Sequence, residues 1–339
     1  MCISKLSVGL DYHQDQVQVC VLDEQGKVLM NRSLSNHAQA IHGAVAQYGE
    51  VTAVAIEACC GAANLADELN ALGWNVSLAH PGFVSRMKQN PDKTDFSDSR
   101  LLADLVRVGY LPKVWLAPEE LRRLRRLVRY RQQLVDQRRD VKLRIRALLR
   151  DNRIRAPKEC NAWTKRWLKW LDSPCCPLTA EDDWMMKRHL ASLQRLSVEI
   201  REVEKKLLER AADDAVIKKL MQFAGVGLVT AVTMRAEIGQ FDRFQTGKQL
   251  SRFCGVTPRN ASSGNRQADA GLIRAGNPQL RRVLIELSHR LINSAEPRWS
   301  KLAANLLKEG KKKNVVVAAI ANRWVRWLHH QMLSEQLAA

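Results

Sequence analysis

The spacing of apolar residues changes from a period of two to a period of three to four near residue 118. Before that point, residues 5–11 and 15–23 place Leu or Val at every second position, which is typical of strands with one face against a core. Residues 51–58 form a nearly continuous apolar run, as in a buried parallel strand. The pattern predicts a helix between the third and fourth strands, a helix at 64–74, and strands at 5–11, 15–23, 26–34, 51–58 and 75–81.

The order of these elements indicates an α/β fold. Three strands joined by hairpins and followed by alternating helices and strands is the order of a ribonuclease-H-like (RuvC-like) domain, which we expect over residues 1–117. In such a sheet the first and fourth strands are neighbours. The ends of 5–11 and 51–58 should therefore lie side by side.

A second part is predicted to be an antiparallel coiled-coil arm over residues 118–215. Leu or Val recurs every seven residues, at positions 127, 134, 141 and 148, in one long helical pattern that runs to about residue 155. A second heptad pattern spans 193–207. Residues 119–155 contain fourteen Arg or Lys against five Asp or Glu. The arm could mediate dimerisation and lie along phosphates, although a solvated charged face explains each single residue equally well.

The remaining part, residues 216–339, is predicted to be a mainly helical domain. Gly225 and Gly227 separate two short helical patterns, as in a helix–hairpin–helix. Such a turn can offer backbone N–H groups to a phosphate. A polar, glycine-rich stretch then runs into a basic helix over 254–290.

The charge of the chain narrows its expected partners. Lys and Arg outnumber Asp and Glu by 54 to 35, a formal charge of +19, which predicts a polyanionic partner, and nucleic acid above all. No apolar run reaches transmembrane length, and Asp11 interrupts the N-terminal segment too early for a secretory signal, so we expect no membrane and a cytosolic location. The eight cysteines contain no CxxC pair, which argues against zinc and a disulfide framework.

Four carboxylates follow the predicted elements. Asp11 ends the first strand, Glu57 ends the fourth, and Asp95 and Asp98 open a helix after the last strand. If that helix crosses the same edge of the sheet, the four converge, and they repel one another unless a cation neutralises them. Mg²⁺ suits oxygen ligands and phosphate chemistry, two such ions could act about 3.5–4 Å apart, and Mn²⁺ could substitute. The alternative is that Asp95 is a helix N-cap and Asp98 a first-turn acid facing the helix dipole.

Several blocks of the sequence together resemble a known family. The blocks "GLDYHQDQVQV", "IEACC", "KTDFSDSRLLA" and "FCGVTPRNASSGNRQADAGLIRAGNPQLRR" are similar, in this order, to the signature blocks of the DEDD-type insertion-sequence transposases, relatives of the Piv DNA invertases. The resemblance implies a RuvC-like domain, a coiled coil and a C-terminal transposase domain in a recombinase that moves its own DNA element. It implies that the four acids bind Mg²⁺ and that a C-terminal serine is the nucleophile.

The same resemblance locates the serine and adds a partner. The family's serine directly precedes a glycine after a TPR block, which corresponds to Ser263 in "TPRNASSG", with Ser262 as the adjacent alternative. Members of the family are also guided by a structured RNA encoded in their element. This chain departs from the usual Ser-Lys at Ile273 and Arg274. Arg for Lys keeps a phosphate contact, whereas Ile removes a hydroxyl.

Two other classes of function remain open from the sequence. A metal-dependent DNA junction nuclease would need the four acids but would use water in place of Ser263. A nucleic-acid-binding protein without catalysis would use the basic arm alone and would leave the acids unexplained. Since the serine and the acids lie in different predicted domains, we expect a homo-oligomer, either a dimer or a tetramer.

Overall fold

The computed structural model describes residues 5–88, 94–173, 176–260 and 269–334. The chain forms two compact units, Met1–Ala117 and Pro118–Ala339. The first is mixed α/β and the second is mostly helical. Among the helices described, none is both long and apolar enough to cross a membrane.

The first unit is built on a sheet with, over the described residues, six strands in the order β3-β2-β1-β4-β5-β6. Strand β1 pairs antiparallel with β2 and parallel with β4, so the predicted adjacency of the first and fourth strands is confirmed. The short helix α3 and strand β6 are elements that the sequence pattern did not predict. The elements are β1 (Lys5–Tyr12), β2 (Gln16–Leu22), β3 (Val28–Ser35), α1 (Ala38–Ala46), β4 (Glu50–Glu57), α2 (Ala62–Ala71), β5 (Val76–Ala79), α3 (Pro81–Met87), α4 (Asp95–Arg107) and β6 (Lys113–Val114).

The two faces of this sheet bury different helices. Alternate residues of β1, such as Leu6 and Val8, pack in a core with α1 and α2. On the other face, Leu102 and Leu105 of α4 pack against Ala55 of β4. The period of two in β1 therefore separates the side chains that contact α1 and α2 from the positions that lie beneath α4.

Gly9 allows α4 to approach β1 closely. An added Cβ at Gly9 would collide with the backbone of α4, at the Ser99 carbonyl oxygen and the Ala103 nitrogen. No flexible side chain is available to move aside there. The absence of a side chain at Gly9 thus sets the distance between the helix that begins with Asp95 and the strand that carries Asp11.

We expect Gly9→Ala to destabilise the protein by about 3 kcal/mol, the upper end of the usual cost of over-packing, because a rigid helix backbone must shift. Gly43 in α1 is a matched control, since an added Cβ there meets nothing within 4 Å. Gly43→Ala should be neutral or stabilise by up to about 1 kcal/mol. Urea unfolding of both variants measures the difference, and equal stabilities would refute the proposed role of Gly9.

The second unit contains two 33-residue helices, α5 and α7, that pack antiparallel. The end of α5 meets the start of α7 through Asn152 Nδ2 and Asp182 Oδ2, 2.9 Å apart. At the other end, Arg131 of α5 donates to Glu204 of α7 at 2.6 Å. Heptad positions such as Ile145 lie in their shared core. The two helices that the heptads predicted are confirmed, while their supercoiling and dimerisation stay predictions.

The rest of this unit shares one hydrophobic core with α5 and α7. Short helices α8 and α9 flank the Gly225–Gly227 turn, and a two-stranded hairpin, β7–β8, precedes α11. The elements are α5 (Glu119–Asp151), α6 (Lys165–Leu171), α7 (Ala180–Ala212), α8 (Ala215–Gln222), α9 (Leu228–Ile238), α10 (Gly247–Phe253), β7 (Pro258–Asn260), β8 (Asp269–Leu272), α11 (Pro278–Ile292), α12 (Pro297–Lys308) and α13 (Lys313–Ser334).

Candidate functional site

Two of the four predicted acids lie at the ends of adjacent strands. Asp11 is the next-to-last residue of β1 and Glu57 the last residue of β4. The parallel register pairs Leu10 with Ile56, so the two acids follow paired residues. The strand ends therefore bring these carboxylates to one edge of the sheet, as the sequence predicts.

Helix α4 brings the other two acids to the same edge. Its N-cap is Thr94, whose hydroxyl accepts a hydrogen bond from the Ser97 N–H. The alternative in which Asp95 is the N-cap is therefore wrong, because Thr94 satisfies the helix end. Asp95 is the first helical residue, with its side chain 54% exposed, while the side chain of Asp98 is only 9% exposed.

A polar network fixes the start of α4 against the sheet. The Asn31 side chain on β3 donates to the Phe96 carbonyl at 3.0 Å. Its Oδ1 accepts from Gln18 of β2 at 2.8 Å and from the Ser99 hydroxyl at 3.3 Å. Because these bonds join the first turn of α4 to two strands, they limit the movement of Asp95 relative to Asp11.

The electrostatics of Asp11 show that the acids converge. Burial raises the pKa of the Asp11 carboxyl above its usual 3.8, while the nearby His13 acts in the opposite direction. The charges of Asp95, Asp98 and Glu57 each raise the pKa of Asp11 further. Three carboxylates thus lie close enough to a fourth to disfavour its ionisation, which is the condition that a bound cation relieves.

Two basic side chains that the sequence analysis did not identify contact these acids. His13 Nε2 lies 3.5 Å from Asp11 Oδ2 and 3.2 Å from Asp95 Oδ2. Lys88 Nζ lies 2.6 Å from Asp98 Oδ2. His13 could have been found, since it lies two positions after Asp11, directly beyond the end of β1. Lys88 gave no such signal, because it lies ten residues before Asp98.

The donor set fits a divalent cation. One ligand atom each from Asp11, His13 and Asp95 lies within 4.8 Å of the others. Carboxylate oxygens are the ligands of Mg²⁺ and Mn²⁺, and an imidazole nitrogen is tolerated better by Mn²⁺. Glu57 and the buried Asp98 could complete such a site from the same edge of the sheet.

The two candidate serines, Ser262 and Ser263, lie outside the described residues. The structure does describe both stems of the stretch that contains them. Arg281 donates to the Gly255 carbonyl at 2.8 Å on one stem and to the Ile273 carbonyl at 3.0 Å on the other. The same guanidinium also donates to the carbonyls of Arg274 and Ala275. Residues 273 and 274 thus contact Arg281 through their backbone carbonyls. These contacts do not depend on the departure of their side chains from the usual Ser-Lys.

A buried carboxylate anchors the base of this stretch to the rest of the unit. Glu237 of α9 is 2% exposed and accepts from both Nε and Nη2 of Arg129, at 2.9 and 3.0 Å. It also accepts from Asn277 Nδ2 at 2.7 Å. Asn277 caps α11 by accepting from Gln279 and Leu280 N–H groups. Helices α5, α9 and α11 are therefore joined at one point.

Part of the arginine-rich face of α5 is engaged inside the chain. Besides Arg129, Arg125 donates to the Ala236 carbonyl. Arg131 donates through two nitrogens to Glu204. These arginines stabilise the fold, so a count of basic residues over 119–155 overstates the charge available to a phosphate backbone.

Comparison with known proteins gives matches over most of the chain. A transposase family model of the DEDD IS110 type matches residues 8–153, and a model described as the transposase IS116/IS110/IS902 family matches residues 217–304. A transposase for insertion sequence element IS1111A from Coxiella burnetii is 27% identical over 318 residues, 93% of this chain and 86% of that protein. A probable family 20 transposase from Pseudomonas aeruginosa is 28% identical over 328 residues, 95% of each chain. A transposase for IS1328 from Yersinia enterocolitica is 26% identical, covering 80% of this chain and 81% of that protein.

Proposed function

This chain belongs to the IS110/IS116/IS902 family of insertion-sequence transposases, and from that premise we propose that it cleaves and exchanges DNA strands with a metal-dependent acidic site and a serine nucleophile. Transposases act on DNA, and the net charge of +19 suits that partner. The observation that carries the proposal is the meeting of the acids at one edge of the sheet. Asp11 and Glu57 end adjacent parallel strands, and Asp95 shares the His13 Nε2 contact with Asp11. Acids that meet at one edge of a sheet repel one another, and a bound cation relieves that repulsion.

The proposed fold of the first unit is ribonuclease-H-like. Its antiparallel β1–β2–β3, with β4 and β5 added parallel to β1, supports this proposal. In this arrangement Asp11, Glu57, Asp95 and Asp98 are the residues that would hold Mg²⁺ or Mn²⁺. When bound there, the metal would neutralise the negative charge of the scissile phosphate and favour its attack by a nucleophile.

The side chains around the acids limit water access, fix helix α4 and reduce the negative charge at this site. Burial of Asp98 and Asp11 removes competing water from their carboxylates, and the Asn31 network holds α4 in place. Lys88 neutralises part of the negative charge, so it lowers the repulsion that the acids exert on a DNA phosphate, and His13 contacts both Asp11 and Asp95. Both residues would have to move or share their carboxylate oxygens when a divalent cation is held.

Ser263 is the proposed nucleophile. Attack by its oxygen on phosphorus forms a serine–phosphate ester and breaks the bond to a deoxyribose oxygen, which takes up the proton that the serine hydroxyl loses. Because one phosphate ester replaces another, the second strand can be joined by the reverse reaction without an energy-rich cofactor. We also propose a guide RNA encoded by the element and a homo-oligomeric assembly, from the family resemblance and the antiparallel helix pair.

A two-plasmid recombination assay with sequenced products tests this function. One plasmid carries the element's ends, including any noncoding segment beside the gene, and the other carries a target. We expect joined junctions in Mg²⁺ and none in EDTA. A junction nuclease would instead cut synthetic four-way junctions without joining them, and that result would replace the recombinase proposal.

A further inference from the structure

A cleft of about 940 Å³ lies among α5, α6 and α7. We name it the α5–α7 cleft. Its wall on α6 and α7 belongs to residues 154–216, between the two ranges that the family models match. Cationic side chains from all three helices line it, namely Arg138, Lys142, Lys165, Lys187 and Arg201.

The positive charge of this cleft is largely uncompensated. The lining includes two acids, Asp172 and Glu204. Glu204 is already bound by Arg131 at 2.6 Å, and among the cations Lys187 is paired with Asp183 at 2.7 Å. Within the described part of the chain, neither Arg138 nor Lys142 has a carboxylate at ion-pair distance. These features leave a concave surface with more cations than anions, which favours the binding of an anionic ligand.

Three cations on α5 follow one another at intervals of one turn. Arg138, Lys142 and Arg146 are four residues apart, which places them on one face of the helix. Like charges at this spacing destabilise a helix. Burial lowers the pKa of Lys142, and the charges of Arg138 and Arg146 lower it further. A backbone of repeated negative charges would match this row.

An indole ring holds the middle of the row in place. Lys142 Nζ lies 4.7 Å from the centre of the Trp163 ring, and the Arg146 guanidinium carbon lies 5.5 Å from it. Trp163 also packs against Trp167, with ring centres 4.5 Å apart. Trp163 has a φ of 70°, a left-handed conformation that is uncommon for a bulky residue. The chain therefore turns at Trp163 in a way that sets the ring against the cations.

We propose that the α5–α7 cleft binds the sugar–phosphate backbone of a single-stranded segment of nucleic acid. The inference rests on the proposed function, since it supposes that this chain handles nucleic acid. A cleft of about 940 Å³ is too small to enclose a double helix but can admit a single strand. Apolar side chains in the cleft, such as Leu168 and Leu190, offer contact to the unstacked bases that only a single strand exposes.

Lysine footprinting of the full chain tests the cleft directly. The protein is acylated in EDTA, with and without a 20-nucleotide oligo(U) RNA, an oligo(dT) DNA or the corresponding DNA duplex, and the modified lysines are identified by mass spectrometry. Lys165 and Lys169 form a matched pair, since both are exposed on α6 but only Lys165 lines the cleft. We expect an oligonucleotide to protect Lys165 and Lys142 at least fivefold and to leave Lys169 unchanged. The RNA and DNA arms show which strand the cleft prefers.

Charge-removing variants provide the second measurement. Arg138→Gln combined with Lys142→Gln should weaken single-strand binding at least tenfold and reduce the log–log salt slope by about 1.4, or about 0.7 for each lost phosphate contact. Arg123→Gln combined with Arg139→Gln removes the same charge from the same helix, at exposed residues paired with acids. The affinity of this control variant for the single strand should stay within about twofold of wild type.

The proposal is overturned if Lys165 and Lys169 are protected equally, if both double variants lose the same affinity, or if only duplex DNA protects the cleft. Because every measurement is made in EDTA, none of them depends on strand cleavage. If an oligonucleotide protects Lys165 but the protein never recombines DNA, the proposed function is contradicted and the proposed binding at the cleft stands. If the protein recombines DNA but Lys165 is not protected, the proposed binding at the cleft is contradicted and the proposed function stands.

Discussion

Asp11→Asn and Asp98→Asn should each reduce Mg²⁺-dependent strand cleavage by more than about 100-fold, the upper end of what loss of an outer-shell partner costs. Asparagine keeps the shape of the side chain but removes the negative charge that would hold the metal. Binding of DNA should stay within a few-fold of wild type, since the basic surfaces are unchanged. Cleavage of a radiolabelled element end and a gel-shift titration measure the two effects separately.

The stability of the metal-free protein supplies the control for Asp11→Asn. The pKa of Asp11 is raised in the folded state, so the stabilising contribution of its carboxyl is present below the unfolded value of 3.8 and is lost as the pH rises through the folded value. Asparagine at position 11 does not ionise, so the variant does not lose this stability as the pH rises. In EDTA at pH 7, the variant should therefore melt at a higher temperature than wild type, and the difference should narrow toward pH 4.

Asp98→Asn should behave differently in the same measurement. Its carboxylate is 9% exposed and contacts Lys88 at 2.6 Å, so the substitution leaves a partly buried ammonium without its partner. We expect no gain in melting temperature at pH 7. If either variant cleaves at the wild-type rate in Mg²⁺ while folded, the metal proposal is wrong and Asp95 and Asp98 have only a structural role.

The parts of the site that sequence analysis predicted depend on local patterns. The period of two identifies β1, the continuous apolar run identifies β4, and parallel pairing of these strands is enough to bring Asp11 and Glu57 together. The helix that begins at Asp95 follows from the apolar spacing after that residue, whereas its cap, Thr94, is seen only in the structure. Each of these inferences uses residues within one element, together with a common rule for the order of strands.

The parts that it did not predict depend on distant contacts. Arg129 and Arg138 lie on the same helix and look alike in the sequence. Only the tertiary structure shows that Arg129 pairs with the buried Glu237, 108 residues away, while Arg138 lines a cleft. Likewise, the need for glycine at position 9 arises from the backbone of α4, some ninety residues later, and no periodicity in β1 reveals it.

Ser263→Ala should abolish both recombination and the formation of a covalent protein–DNA species. A serine nucleophile becomes one of the bridging oxygens of a phosphodiester, so the wild-type protein should remain attached to DNA on a denaturing gel. Nuclease digestion should then shrink that species to the protein plus a short nucleotide remnant. Without the hydroxyl no serine–DNA bond can form, so the covalent species should be absent to the limit of detection.

Ser262→Ala is the matched control, since it removes a neighbouring hydroxyl from the same stretch and should keep both activities. Both variants should keep their affinity for RNA and for Mg²⁺ or Mn²⁺, because neither substitution touches the four acids or the basic helices. Mass spectrometry of the digested adduct identifies the attached residue independently of either variant. Recombination by Ser263→Ala, or an adduct that maps to another residue, would mean that the serine mechanism does not operate here. Cleavage by Ser263→Ala without any adduct in the wild type would instead indicate that water attacks the phosphate, as in a junction nuclease.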